Sequence, residues 1–119
     1  MDLDAAIDRH NEWKIIFRMA IEQRTAVDAA TIGRDDCCVL GKWLYSEGKV
    51  LHGDKSPFAG LVTSHAAFHQ NAGAVAEAIN AGDFATAEKM LGVWSEYMDA
   101  SMAVVDAIEA LQKAVDPAG

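Results

Sequence analysis

The sequence is poor in proline and cysteine, with two of each among its 119 residues. Scarce proline together with abundant alanine favours helices over strands, and predicts an all-α protein. The two cysteines, Cys37 and Cys38, are adjacent, and neighbouring cysteines rarely bridge to each other. We therefore expect no framework of structural disulfides, and a reducing cytoplasm as the compartment.

Long apolar runs and positive charge are also missing. No stretch of 18 or more apolar residues occurs, which predicts no transmembrane helix. A secretory signal peptide has a basic segment followed by an apolar segment. The N-terminal residues MDLDAAIDRH do not have this order, so we expect no signal peptide. Only 10 Lys and Arg oppose 18 Asp and Glu, for a net charge of -8. An acidic surface repels phosphate groups, so we expect neither a nucleic-acid partner nor binding to an anionic membrane.

Hydrophobic residues make up 51% of the chain, which is enough to fill the core of a single domain over residues 1–119. Apolar residues recur in alternating steps of three and four along three segments, a pattern typical of amphipathic helices. The first helix is predicted over about 3–28. Ser56 and Pro57 start the second, and Gly82 ends it. Asp83 caps the third, whose apolar seam includes Trp94 and Ser101 and runs to Val115.

Between the first two long helices, the sequence predicts a different organisation. Residues 29–36 form a break, after which Asp35 or Asp36 caps a short helix over about 38–47. The glycine-containing stretch 48–55 is predicted as a loop. Three long helices and one short helix that carries the cysteines together predict an antiparallel four-helix bundle.

Three of the four histidines lie on apolar faces of these predicted helices. His65 is in the seam of the second long helix, and His69 lies one turn further on and points to the same side. His10 is in the seam of the first helix. Such histidines are either metal ligands or core residues that make one hydrogen bond, and many helical pairs with this spacing bind nothing. His52, in the predicted loop, is expected to be solvated.

The segment CVLGKWLY, residues 38–45, resembles the Cys-x-(Leu/Phe)-Gly-x-Trp-x-Tyr signature of the chemoreceptor zinc-binding (CZB) domains. The early His10 and the later pair in SHAAFH also agree with this family in order and spacing, and the resemblance covers about residues 3–110. It implies one zinc ion held by His10, Cys38, His65 and His69 in a helical homodimer. It further implies a regulatory role towards chemoreceptor or diguanylate cyclase modules, in bacterial chemotaxis or cyclic-di-GMP signalling.

The choice of Cys38 over Cys37 rests on that resemblance, because helical geometry alone does not distinguish them. Three imidazoles and one thiolate would form a closed tetrahedral site, whereas catalytic zinc keeps an open position. Ala66 and Ala67 follow His65, where a His-Glu-x-x-His motif would have its glutamate, so no general base lies between the histidines and we expect no enzyme activity. The thiolate is the one oxidisable ligand, so a redox response is possible. The alternative is a zinc that only stabilises an interaction module.

A shared metal also constrains the chain path. A tight turn after residue 28 would leave Cys38 at the far end of the bundle from the histidines. We therefore predict that 29–36 descends along the bundle as an irregular segment and brings Cys38 to the level of His65.

Overall fold

The computed structural model describes residues 1–115, and these residues form helices without any strand. The predicted all-α class is therefore confirmed. In chain order the helices are α1 (Leu3–Gln23), α2 (Ala29–Ile32), α3 (Val39–Leu44), α4 (Glu47–His52), α5 (Ser56–Asn80), α6 (Phe84–Met90) and α7 (Glu96–Val115). Within this part of the chain, no helix is both long enough and apolar enough to span a membrane. The predicted tail, 116–119, lies outside the described residues.

The long helices α1, α5 and α7 bury most of the seam positions that their periodicity predicted, although Val115 at the end of α7 is exposed. α5 lies at the centre and makes its most extensive contacts with α7, while α1 packs against both. Every predicted seam position of α5 is buried, and Phe17, Phe68 and Ile108 are among the fully buried side chains of the three helices. The burial of these apolar side chains holds the three helices together.

The ends of α1 and α5 follow local backbone chemistry. α1 ends at Gln23 rather than near residue 28, because Arg24 adopts a left-handed conformation with φ 56° and its N–H bonds back to the helix. α5 begins at Ser56 with Pro57 in its first turn, as predicted. Gly82, with φ 77°, follows its end, and Asp83 caps α6 by accepting a hydrogen bond from the N–H of Thr86.

The predicted third long helix is wrong in one respect, since it is two helices. α6 ends at Met90, and α7 starts only at Glu96, after the Ser95 hydroxyl caps it by accepting a bond from the Met98 N–H. Between them Trp94 has φ 72° and is 90% exposed, so it is not the seam residue that the sequence suggested. The apolar spacing continues across the interruption, so periodicity alone did not reveal it.

The segment between the long helices is more helical than predicted. Residues 48–55 are not a loop, because α4 occupies Glu47–His52. The cap of α3 is also different from the prediction, since Cys38 caps it rather than Asp35 or Asp36. With α2, α3 and α4 in place of one short helix, the described residues do not confirm an antiparallel four-helix bundle.

The predicted path of residues 29–36 is largely correct. The segment is not a continuous helix, although its first residues form the single turn α2. α2 packs against α5. The chain then brings Cys38 to the level of His65, as the prediction required.

Candidate metal centre

Three of the four predicted ligands converge on one point. The Sγ atom of Cys38 lies 3.3 Å from Nε2 of His65 and 3.6 Å from Nε2 of His69. The two Nε2 atoms are 3.0 Å apart. Both histidines are buried, whereas Cys38 is half-buried, and the three donor atoms form a group able to hold a metal ion.

α5 supplies the two histidines as a rigid pair. Residues four apart on a helix lie one above the other on the same face, and the His65 and His69 ring centroids are 4.5 Å apart. Because both are buried between apolar seam residues such as Leu61 and Phe68, neither ring can turn freely into solvent. α5 thus presents both imidazoles side by side on one buried face.

The cysteine comes from the start of α3, where its side chain caps the helix. The backbone N–H of Gly41 donates a hydrogen bond to Sγ of Cys38, with a length of 3.3 Å. A Cβ atom on Gly41 would lie only 1.7 Å from the backbone carbonyl oxygen of Asp35. The glycine of the CVLGKWLY segment is therefore required so that the preceding loop can cross α3 closely and place Cys38.

A backbone carbonyl fixes the orientation of His69. Nδ1 of His69 lies 2.7 Å from the carbonyl oxygen of Ile32, an acceptor, so Nδ1 carries the hydrogen and donates it. In the neutral ring this leaves Nε2 with a free lone pair that points at Cys38 and His65. Metal-ligating histidines generally have such a partner on their other ring nitrogen. The Nδ1 atom of His65 is buried and has no such partner among the described residues.

The distances between the donors fit a tetrahedral zinc ion. With Zn–N bonds of about 2.05 Å and a Zn–S bond of about 2.3 Å, tetrahedral angles separate two nitrogens by about 3.3 Å and nitrogen from sulfur by about 3.6 Å. The observed separations are 3.0 Å between the nitrogens, and 3.3 Å and 3.6 Å to the sulfur. Nitrogen and thiolate donors are also the chemistry that zinc prefers.

Burial shifts the pKa values of three of the candidate ligands. It lowers the pKa of His65 to about 4, with a further contribution from nearby His69. The same two causes lower the pKa of His10 to about 4, against the effect of its hydrogen bond to Ser101. Burial raises the pKa of the Cys38 thiol, and hydrogen bonds from backbone N–H groups oppose this rise. At neutral pH His10 and His65 are thus ready to bind a metal, whereas the Cys38 thiol must first lose its proton.

His10 does not join the other three in this structure. It is buried on α1 with its ring 3.9 Å from that of Phe68, and its Nε2 lies 3.1 Å from the hydroxyl of Ser101 on α7. Its nitrogens are outside the close group of donors that Cys38, His65 and His69 form. It nevertheless lines the same cavity of about 650 Å³ as those three residues. Its role as a fourth ligand stays a prediction.

His52 differs from its predicted setting. It lies at the end of α4 rather than in a loop, and its half-buried ring packs 5.9 Å from that of Trp43. His52 is not fully solvated, because Trp43 covers one side of its ring.

Sequence reasoning missed three partners of the site. The carbonyl of Ile32 and the N–H of Gly41 are backbone groups, and nothing in a side-chain pattern marks them. Ser101 did leave a signal, because it is a polar residue within the apolar seam of the last predicted helix. In the structure its hydroxyl faces His10.

Comparison with known proteins agrees with this geometry. The family model described as "Chemoreceptor zinc-binding domain", CZB, matches residues 10–76, which is 67 of the 119 residues. The matched range contains all four predicted ligands and ends within α5, so it is shorter than the predicted resemblance over 3–110. No match was found among curated proteins or among solved structures.

Proposed function

Since the chain belongs to the chemoreceptor zinc-binding domain family, we propose that it acts as a zinc-binding sensory or regulatory domain in bacterial signalling. The observation that carries this proposal is the convergence of Cys38, His65 and His69 at distances that suit tetrahedral zinc. The buried, neutral imidazole of His65 and the hydrogen bond that orients His69 support it.

We propose His10 as the fourth ligand. It is buried, its lowered pKa keeps it neutral at physiological pH, and it lines the cavity onto which the other three ligands face. Three imidazoles and one thiolate would close the coordination shell of zinc. A closed shell leaves no position for a reactive water, so we expect a regulatory role without enzyme activity.

The signalling role itself follows from the family and not from the geometry. We propose a cytoplasmic domain that regulates chemoreceptor or diguanylate cyclase modules, in chemotaxis or cyclic-di-GMP control, without nucleic-acid or membrane binding. Cys38 supports a redox response, because oxidation of a thiolate ligand removes a donor and weakens the metal site. An antiparallel four-helix bundle remains our prediction for the architecture.

A structural zinc is the alternative function. The candidate site links Cys38, at the start of α3, to α5 over 27 residues of sequence. A metal that closes such a link stabilises the fold whether or not it senses anything. Removal of zinc with a chelator distinguishes a sensory zinc from a structural one. A sensor keeps its helical circular dichroism and a cooperative unfolding transition without zinc, whereas a structural zinc domain loses both.

Metal content tests the ligand set. Protein purified without added metal should contain close to one zinc per chain by elemental analysis. The triple variant His10→Ala/His65→Ala/His69→Ala should contain almost none, while the matched control His52→Ala should retain full occupancy. Full occupancy in the triple variant would disprove the proposed ligands, and single variants would show whether His10 contributes.

We also propose that the chain forms a homodimer. The predicted apolar stripe of the last helix is partly covered within the chain, since Leu91 is fully buried. Large apolar side chains are instead exposed on α1, where Ile15 is 61% and Met19 51% accessible, and on α7, where Met102 is 60% accessible. Ile15 and Met19 are one helical turn apart and therefore form a continuous surface that a second copy would cover.

Light scattering tests the dimer. The unmodified protein should have twice the mass of one chain, and Ile15→Lys/Met19→Lys should shift it to the monomer. Val50→Lys is the matched control, because Val50 is 84% exposed but lies on α4. A monomeric unmodified protein, or dissociation by the control alone, would contradict this interface.

A further inference from the structure

Two glycines meet where α2 packs against α5. A Cβ atom on Gly73 would lie 2.9 Å from the Cα atom of Gly33, a separation that real Cβ atoms essentially never show. The obstacle is backbone rather than a flexible side chain, so any larger residue at position 73 must push the two segments apart. Gly73 is buried within α5, and Gly33 directly follows the end of α2.

This contact is adjacent to the hydrogen bond that orients His69. Ile32 immediately precedes Gly33, and its carbonyl accepts the Nδ1–H of His69 over 2.7 Å. His69 and Gly73 are four residues apart on α5 and therefore share a face. As the last residue of α2, Ile32 has a carbonyl that the helix itself does not use, so it is available to the imidazole.

A second contact holds the same segment against α5. The side-chain amide of Asn80 donates to the carbonyl of Val27 and accepts from its N–H, at 2.7 Å and 2.8 Å. α2 is thus fixed on one side by this pair of hydrogen bonds and on the other by the glycine contact. The distance between the Ile32 carbonyl and α5 is set by these two contacts.

We propose that Gly33 and Gly73 are positioning residues for the metal site, an inference that rests on the proposed zinc-binding function. Their close approach brings the Ile32 carbonyl within hydrogen-bond distance of His69. That bond holds the imidazole in the tautomer with hydrogen on Nδ1 and directs the Nε2 lone pair at Cys38 and His65. Neither glycine touches the metal, and both act through His69.

The test compares Gly73→Ala with Gly60→Ala. Gly60 lies on the same helix, and a Cβ atom there meets nothing within 4 Å. Both variants gain the same helix propensity, so their difference isolates the steric effect. Competition with a chromogenic chelator should show a zinc dissociation constant about 10- to 100-fold higher in Gly73→Ala, as for the loss of other outer-shell partners. Gly60→Ala should stay within about two-fold of the unmodified protein.

Nitrogen NMR of the imidazoles reports the tautomer of His69 directly. If Gly73 contributed only to stability, its substitution would not change this tautomer. In the unmodified protein, with and without zinc, Nδ1 of His69 should carry a slowly exchanging hydrogen. In Gly73→Ala this preference should be lost, whereas Gly60→Ala should keep it. Folded Gly73→Ala with unchanged zinc affinity and an unchanged His69 tautomer would overturn the proposal.

If Gly73→Ala does not fold, Gly33→Ala provides a second test of the same contact. Its Cβ atom would lie 3.2 Å from the carbonyl oxygen of Ala29, which is tight and requires a small shift of α2, and 3.6 Å from Cα of Gly73, which is ordinary van der Waals contact. It should weaken zinc binding and the Nδ1–H signal in the same direction but less, and no change in either would overturn the proposal. If the unmodified protein binds no zinc, the proposed function fails. In that case the positioning role is still tested by NMR of the metal-free proteins, which compares the Nδ1–H signal of His69 in the unmodified protein and in Gly73→Ala.

Discussion

The two adjacent cysteines have different chemical surroundings. Sγ of Cys38 faces His65 and His69 and accepts a hydrogen bond from the N–H of Gly41. Sγ of Cys37 instead lies 3.7 Å from an exposed carboxylate oxygen of Asp36. Although each residue is half-buried, only Cys38 is placed to bind the metal. The structure thus decides between two residues that helical geometry left equivalent.

We expect zinc binding to release close to one proton per chain at pH 7.5. Burial raises the pKa of the Cys38 thiol, so the metal-free site holds a thiol, while the pKa of His65 lies too low for that ring to contribute a proton. Calorimetry in buffers of different ionisation enthalpy measures the proton count. Cys38→Ser should release almost none, and a count near zero for the unmodified protein would contradict thiolate ligation.

Alkylation should distinguish the two cysteines. With zinc bound, Cys38 is coordinated and its thiolate is unavailable, so it should react slowly with iodoacetamide and faster after chelation. Cys37 should react at the same rate in both states. Mass spectrometry of the labelled peptide measures each rate, and equal labelling of Cys38 in both states would argue against a redox response that depends on the metal.

At the scale of helices and loops, the glycines mark where backbones approach each other. Gly41 allows the loop that contains Asp35 to cross α3, and Gly73 allows α2 to approach α5. Both contacts lie next to a candidate ligand, Cys38 in the first case and His69 in the second. Close packing of backbones is therefore the means by which short, irregular elements are held at the site.

Gly41→Ala should destabilise the fold and weaken zinc binding together. Its Cβ atom would lie 1.7 Å from the Asp35 carbonyl oxygen, so the loop must move and carry Cys38 with it. Overpacking of this kind costs roughly 1–3 kcal/mol in the free energy of unfolding. Urea denaturation and chelator competition measure the two effects, with Gly60→Ala as the unaffected control. A variant as stable as that control would show that the loop adapts freely.

At the scale of the whole molecule, folding buries imidazoles in an apolar interior. His10 and His65 are 6% and 2% exposed, and burial lowers the pKa of both from the ordinary 6.5 to about 4. Between these values the unfolded chain binds protons that the folded chain does not. The free energy of unfolding of the metal-free protein must therefore rise with pH across this window and fall as the pH drops.

We expect metal-free protein to lose stability on acidification from pH 8 to pH 5. The loss should be on the order of 2 kcal/mol per buried histidine, before most carboxylates titrate. Urea denaturation at a series of pH values measures it. His10→Gln/His65→Gln should flatten the dependence, because both lowered pKa values belong to these two rings. A stability that is constant from pH 8 to pH 5 would mean that these rings are not neutral in the fold.

Much of the fold and most of the candidate site could be predicted because they depend on local patterns. The seam of α5 follows directly from residues spaced by three and four, and this spacing also placed His65 and His69 on one buried face. Glycine and proline at its ends gave its bounds. The interruption at Trp94 was not predicted, because the apolar spacing continues across it and a tryptophan gives no signal of a left-handed backbone.

The sequence by itself determined the helical class, the buried face of α5 and the residue types that can bind zinc, since these follow from periodicity, spacing and side-chain chemistry. Only the tertiary structure decided that His10 pairs with Ser101 while Cys38, His65 and His69 converge. It also decided that the carbonyl of Ile32 orients His69. Every residue has the same carbonyl, so which one reaches the imidazole depends on how closely two backbones pack, and that is a property of the folded chain alone.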